Sequence, residues 1–145
     1  MVKRMEKQQK RSKKYDYARD IGEVIIMFIA AWLFYQGLSI ATGTNMPIVA
    51  VVSASMEPTL YRGDLLFITS ANYTVGDVVL YERPEINYII VHRIIKETEN
   101  GFVIKGDNNP APDPGYVKES QIKGKVRYAI PLLGYPRLAI MIFGI

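Results

Sequence analysis

The chain has 145 residues, 49% of them hydrophobic, with no cysteine and one histidine. Disulfide staples, thiol catalysis, thiolate-bound zinc and multi-histidine metal sites are thereby excluded, and no cofactor or metal is expected. The net charge of +4 is a property of the amino end: residues 1–20 carry eight Lys/Arg against three Asp/Glu, and the remainder is near neutral, so no basic face for nucleic acid is expected.

Residues 1–20 read as a basic cytoplasmic tail. Residues 21–41 (IGEVIIMFIAAWLFYQGLSIA) then run with Glu23 as their one charge. A helix of that length spans roughly 30 Å, the thickness of a hydrocarbon core. The segment is expected to be a transmembrane anchor. Basic residues before it, and Thr42 to Asn45 after it, predict a cytoplasmic amino end and an exported remainder. A cleavable leader is the competing reading, with Ser39-Ile40-Ala41 as a cut site of acceptable size. The apolar run is longer than a leader's usual 7–15 residues, so an uncleaved anchor is preferred.

Residues 45–130 change character. Short β-branched runs recur at Met46–Val52, Asp64–Thr69, Asp77–Glu82, Tyr88–Ile95, Phe102–Lys105 and Gln121–Tyr128. Arg62-Gly63, Gly76, Pro84 and Asn100-Gly101 punctuate them as turns. The expected fold is mostly β: a small β-domain behind an amino-terminal transmembrane helix. Residues 131–145 (PLLGYPRLAIMIFGI) are apolar again but short for a span. A short apolar helix in the membrane interface is expected there.

Three features carry chemistry. Ser53-Ala54-Ser55-Met56-Glu57-Pro58-Thr59 puts a serine at the end of a strand, before a proline turn. By itself this is also an ordinary polar strand-to-turn junction. His92 lies within the strand Tyr88–Ile95, where a lone histidine is commonly structural. Asn100-Gly101 signals a hairpin with a type I′ turn. With those two as the loop residues, His92 faces Asn109 and Ile94 faces Asp107. His92 and Asp107 then share one face as diagonal neighbours. A longer loop would shift that register. The third feature is the loop Gly106 to Pro114, stiffened by Pro110, Pro112 and Pro114, with Asp107 and Asp113 inside it. A serine hydroxyl is a weak nucleophile until a base takes its proton, and histidine is suited to that task.

Taken together, these motifs resemble signal peptidase I of the archaeal and endoplasmic-reticulum type. Ser53–Thr59 looks like that family's nucleophile box. Tyr61-Arg62-Gly63-Asp64-Leu65 and Val75-Gly76-Asp77-Val78-Val79 look like its next strand boxes. Val91-His92-Arg93 resembles the general-base box, and Lys105-Gly106-Asp107-Asn108-Asn109 with Asp113 the acidic box. The bacterial branch is similar at the serine but uses lysine as base. A self-cleaving peptidase of the repressor type shares the serine box, yet it is soluble, DNA-binding and lysine-dependent.

The resemblance implies a membrane-bound serine endopeptidase that removes amino-terminal signal peptides through an acyl-enzyme. Ser55 would be the nucleophile and His92 the base. Asp113 would complete the triad, with Asp107 holding the loop, although hairpin proximity alone favours Asp107. The Ser53 hydroxyl and the Ser55 N–H would bind the oxyanion. An extended substrate would lie along Met46–Val52, with Ile48, Ala50 and Val52 lining pockets for small residues at −1 and −3. Signal peptides, the lipid bilayer and the secretion translocon are the expected partners. A membrane-anchored accessory subunit that binds signal peptides without cutting them is the alternative.

Overall fold

The computed structural model describes residues 2–83 and 88–135, with side chains from Tyr17 onward. Pro84, an expected turn residue, and residues 136–145 of the expected carboxyl-terminal helix lie outside the described residues. The chain forms two compact units, residues 1–38 and 39–145.

The first unit is helical. Helix α1 runs unbroken over Val2–Thr42. It therefore takes in the basic segment as well as the apolar one. Lys, Arg, Gln, Glu and Met are good helix formers, and no Gly or Pro precedes Gly22, so nothing stops the helix where the charge ends. Its Tyr17–Thr42 portion is long and apolar enough to cross a membrane, and the rest of the protein buries none of that apolar window.

The second unit is one six-stranded sheet. Its strands are β1 (Ile48–Ala50), β2 (Leu65–Thr69), β3 (Val78–Arg83), β4 (Tyr88–Thr98), β5 (Gly101–Lys105) and β6 (Ile122–Ile130). They lie in the order β1-β2-β6-β3-β4-β5, and every neighbouring pair is antiparallel. In β2, Leu66 and Ile68 are buried while Leu65, Phe67 and Thr69 are only partly so, the alternation of a strand with one core face. Strand β3 is different, because Val79, Leu80 and Tyr81 are all fully buried. Both its faces are covered. Val79 and Tyr81 pack with Ile94, Phe102, Ile104, Val117 and Ile122. Leu80 packs with Val51, Met56, Leu60, Leu66 and Ile68.

The β4–β5 hairpin differs from the expected one. Thr98 pairs with Gly101, leaving Glu99 and Asn100 as the turn, and the register shifts between Ile94 and Lys96. A type I′ turn needs positive φ at both central residues. Here Asn100 does not take one, and the positive φ of 127° falls on Gly101, where the absence of a Cβ makes it cheap. Ile94 consequently faces Ile104, and Arg93 faces Lys105. Asp107 lies past the paired residues and not opposite Ile94. The shared face expected for His92 and Asp107 does not form.

After β6, residues 131–134 form a turn, and helical geometry begins at Tyr135, the last described residue. Within the turn, Gly134 N–H donates to the Gly63 carbonyl at 2.8 Å. Leu132 N–H lies 3.4 Å from Oδ1 of buried Asp64. The turn thus closes over the Tyr61–Asp64 segment that follows the serine box.

Candidate active site

Ser55 stands just beyond the edge strand. Val51 keeps strand-like pairing after β1 ends: its N–H donates to Asp64 O, and its carbonyl accepts from Gly63 N, both at 2.9 Å. The chain then turns tightly, with Glu57 N–H on Ala54 O at 3.2 Å and Leu60 N–H on Met56 O at 3.0 Å. Met56 and Leu60 are buried in the core. Each such side chain contributes roughly 1.5–3 kcal/mol by its burial. Ser55 is therefore held from both sides of a short turn, while the serine itself remains accessible.

His92 comes from the middle of β4, where it faces Val79 of β3 and is only 6% exposed. Its Nε2 lies 3.0 Å from Ser55 Oγ. Its Nδ1 lies 2.5 Å from Asp113 Oδ2. An ionised carboxylate can only accept, so Nδ1 carries the proton and donates, which leaves Nε2 free to accept from the Ser55 hydroxyl. Ser53 Oγ is 3.1 Å from Ser55 Oγ.

Asp113 reaches this position because the loop 106–116 folds back across the sheet. Its own N–H donates to Ile104 O at 2.9 Å. The fully buried Tyr81 of β3 donates its hydroxyl to Asp113 Oδ2 at 2.6 Å. Burial by itself would raise the Asp113 pKa. Hydrogen bonds from His92 and Tyr81 outweigh it and hold the carboxyl below its usual range.

Asp107 has a different partner. Arg93, next to His92 and on the other side of β4, clasps it with Nε on Oδ1 at 2.9 Å and Nη2 on Oδ2 at 2.7 Å. Such forked pairs are the stronger kind of ionic hydrogen bond. Thr59 Oγ1 adds a third bond to Asp107 at 2.5 Å. Arg93 Nη1 also donates to Gly76 O at 2.8 Å. The cluster ties the far end of the serine turn, the acidic loop and β4 together. A second tie is more direct: Asn108 N–H donates to Ser55 O at 2.8 Å, and Asn108 Nδ2 to Ala54 O at 3.1 Å.

A groove of about 310 Å³ opens beside Ser55. Residues 49–53 form one wall and residues 88–92 the other, with Met56 and Asn109 at the Ser55 end. Ala50 and Val52 line it, together with Val49 and Val51; Ile48 does not. The alternation assumed for Ile48, Ala50 and Val52 requires strand geometry throughout, and β1 ends at Ala50. Among the described residues no group of three His, Asp or Glu side chains is placed to hold a metal ion.

Sequence reasoning missed Tyr81, the Arg93 clasp and the β4 wall of the groove. A tyrosine in an apolar strand needs a partner for its hydroxyl if buried, which was the available signal for Tyr81. The clasp could not be read without the true hairpin register.

Chemically, the arrangement is that of an activated serine: hydroxyl, imidazole and carboxylate in hydrogen-bonded sequence, beside an apolar groove open to an extended chain. Residues 5–127 match the Peptidase S24-like family. The chain is 44% identical over 121 residues to the signal peptidase complex catalytic subunit SEC11 of Zygosaccharomyces rouxii, covering 73% of this chain and 72% of that protein. It is 40% identical over 127 residues to the protein of the same name from Saccharomyces cerevisiae, covering 77% and 76% respectively. The chain belongs to the Peptidase S24-like family and, with these relatives, to signal peptidase I of the endoplasmic-reticulum type.

Proposed function

We propose that this enzyme removes signal peptides from exported preproteins, with Ser55 as nucleophile, His92 as general base and Asp113 as the acid that orients His92. One observation carries the reading: the unbroken line from Ser55 Oγ to His92 Nε2, 3.0 Å, and from His92 Nδ1 to Asp113 Oδ2, 2.5 Å. Ser55 attacks the scissile carbonyl while His92 takes its proton, then returns it to the leaving amine. Water repeats the sequence on the acyl-enzyme. The Ser53 hydroxyl and the Ser55 N–H stabilise the oxyanion. Asp107 acts at a distance, by keeping the acidic loop against the serine turn.

The substrate lies extended in the groove between residues 49–53 and β4. Alternate residues of an extended peptide face the same way, so the side chains at −1 and −3 enter together. Apolar walls at Ala50 and Val52 favour small residues there. The apolar part of α1 spans the membrane with its basic end in the cytoplasm, and the β-domain works on the opposite side. A preprotein whose own apolar segment is in the same bilayer meets the enzyme at raised effective concentration. The bilayer and the secretion machinery that delivers preproteins are its working partners, as is a signal peptidase complex of the kind named for its relatives.

The test is incubation of the full chain, in detergent, with a preprotein carrying small residues at −1 and −3. Wild type should release the mature protein, and Ser55→Ala should not. Normal cleavage by Ser55→Ala would overturn the assignment.

A further inference from the structure

Strand β3 contributes a tyrosine to the site through a contact that the serine–histidine–aspartate arrangement does not require. The Tyr81 hydroxyl donates to Asp113 Oδ2 at 2.6 Å, the same oxygen that accepts from His92 Nδ1. Tyr81 is fully buried, and its ring lies 6.5 Å from the imidazole, centroid to centroid, inclined at 52°. Two residues on, Arg83 Nη2 donates to Pro114 O at 3.1 Å. One face of β3 therefore grips the acidic loop twice, at Asp113 and at the residue after it.

We infer that Tyr81 is a positioning residue for the reaction: its hydroxyl fixes Asp113 Oδ2 so that His92 keeps the tautomer and orientation that present Nε2 to Ser55. This rests on the assignment of Ser55, His92 and Asp113 given above. A carboxylate on a loop can rotate about two side-chain bonds. One oxygen pinned by a rigid donor from the sheet core cannot turn away without leaving a buried phenol unpaired, at a cost of the kind that holds such networks in one geometry. Burial and the bond to Asp113 push the Tyr81 phenol well above its ordinary pKa, so it remains a donor wherever the enzyme works. The charged and titratable groups around the pair are Tyr81 and Arg83 from β3, Asp107 and Asp113 from the loop, Arg93 from β4 and Ser55 from its turn. Asp107 is already neutralised by Arg93.

The experiment uses the full chain in detergent and the preprotein cleavage assay. Tyr81→Phe should lower kcat roughly tenfold or more, with KM nearly unchanged, the loss expected for one hydrogen bond to a charged group. Removing a donor from the Asp113 carboxylate raises that carboxylate's basicity, so the acid limb of the kcat/KM profile should move up in pH. In an Asp113→Asn background, Tyr81→Phe should add little further loss. Replacing Tyr81 by 3-fluorotyrosine, a nearly isosteric and stronger donor, should move the limb down, and it decides the matter if Tyr81→Phe does not fold. A wild-type kcat with an unmoved limb in Tyr81→Phe would overturn the inference. So would the same loss recurring in full on Asp113→Asn, or an unmoved limb with fluorotyrosine. Ser55→Ala run alongside reports on the catalytic assignment alone, since its failure to abolish cleavage would refute that reading whatever Tyr81 does.

Discussion

Arg93 clasps Asp107 through two parallel hydrogen bonds, 2.9 and 2.7 Å long, one residue along β4 from His92. Successive side chains of a strand point to opposite faces. The strand that presents His92 to Ser55 and Asp113 on one side thus anchors the acidic loop on the other. The two aspartates of that loop divide the work: Asp113 engages the imidazole, and Asp107 engages the scaffold.

That division predicts unequal effects. Asp113→Asn should lower kcat by about three to four orders of magnitude, because an amide in that place no longer enforces the Nδ1–H tautomer. Asp107→Asn should cost far less in kcat, on the order of tenfold, and more in stability. Steady-state kinetics with thermal melts on both variants checks the contrast. Equal kcat losses would show that the loop anchor and the orienting acid are not separate roles.

Acid pH should strike the same anchor. Hydrogen bonds from Arg93 outweigh burial and, with Thr59, hold the Asp107 pKa below its usual value. A carboxylate with a depressed folded-state pKa contributes stability that is complete above the unfolded value, about 3.9. The contribution is lost as pH falls through the folded value. Asp113 and Asp77 are held low as well. Melting temperature should therefore drop steeply below about pH 4, and Asp107→Asn should melt lower at neutral pH but fall less on acidification. A variant curve parallel to wild type would deny Asp107 this role.

The strands were readable from the sequence largely as short β-branched or apolar runs with turn residues between them. The end of β4 was not: Lys96, Glu97 and Thr98 carry no apolar alternation, and they are strand only because β5 pairs with them. The extension of α1 through the basic segment was missed because charge was taken as a boundary, although helix propensity does not change at residue 21. Ser55, His92 and the acidic loop stood out as motifs in a familiar order. Asp113 as the partner of Nδ1 was implied by resemblance only, and residue spacing by itself pointed to Asp107. That partnership depends on how loop 106–116 crosses β3, and the pairing of Tyr81 with Asp113 joins residues 32 positions apart whose local sequences say nothing of each other.

Met56 should prove the main packing support of the serine turn. It is 1% exposed and lies directly after Ser55. Met56→Ala should cost about 2–5 kcal/mol, seen as a lower Tm, and should reduce kcat even where the protein remains folded. A half-buried neighbour outside the core serves as control: Glu57→Ala should lower Tm far less than Met56→Ala. Loss of stability without loss of kcat in the folded fraction would show that the turn is held by its backbone bonds alone.

Gly106 sets the spacing between the acidic loop and the turn that carries Ser55. A Cβ built there would stand 2.7 Å from the Ser55 carbonyl oxygen and 2.8 Å from Asn109 Nδ2. The asparagine amide can swing aside, but the carbonyl is backbone and belongs to Ser55. Gly106→Ala must therefore push the loop and the serine turn apart, stretching the 2.8 Å bond from Asn108 N to Ser55 O. Overpacking of this kind costs about 1–3 kcal/mol in stability. The catalytic cost should be larger, since a misplacement of about 1 Å in a reacting group can lower the rate 100-fold. The expected signature is kcat down by one to two orders of magnitude at a temperature where melts show the variant fully folded. If Gly106→Ala cleaves preprotein at the wild-type rate, the loop and the turn are not rigidly coupled.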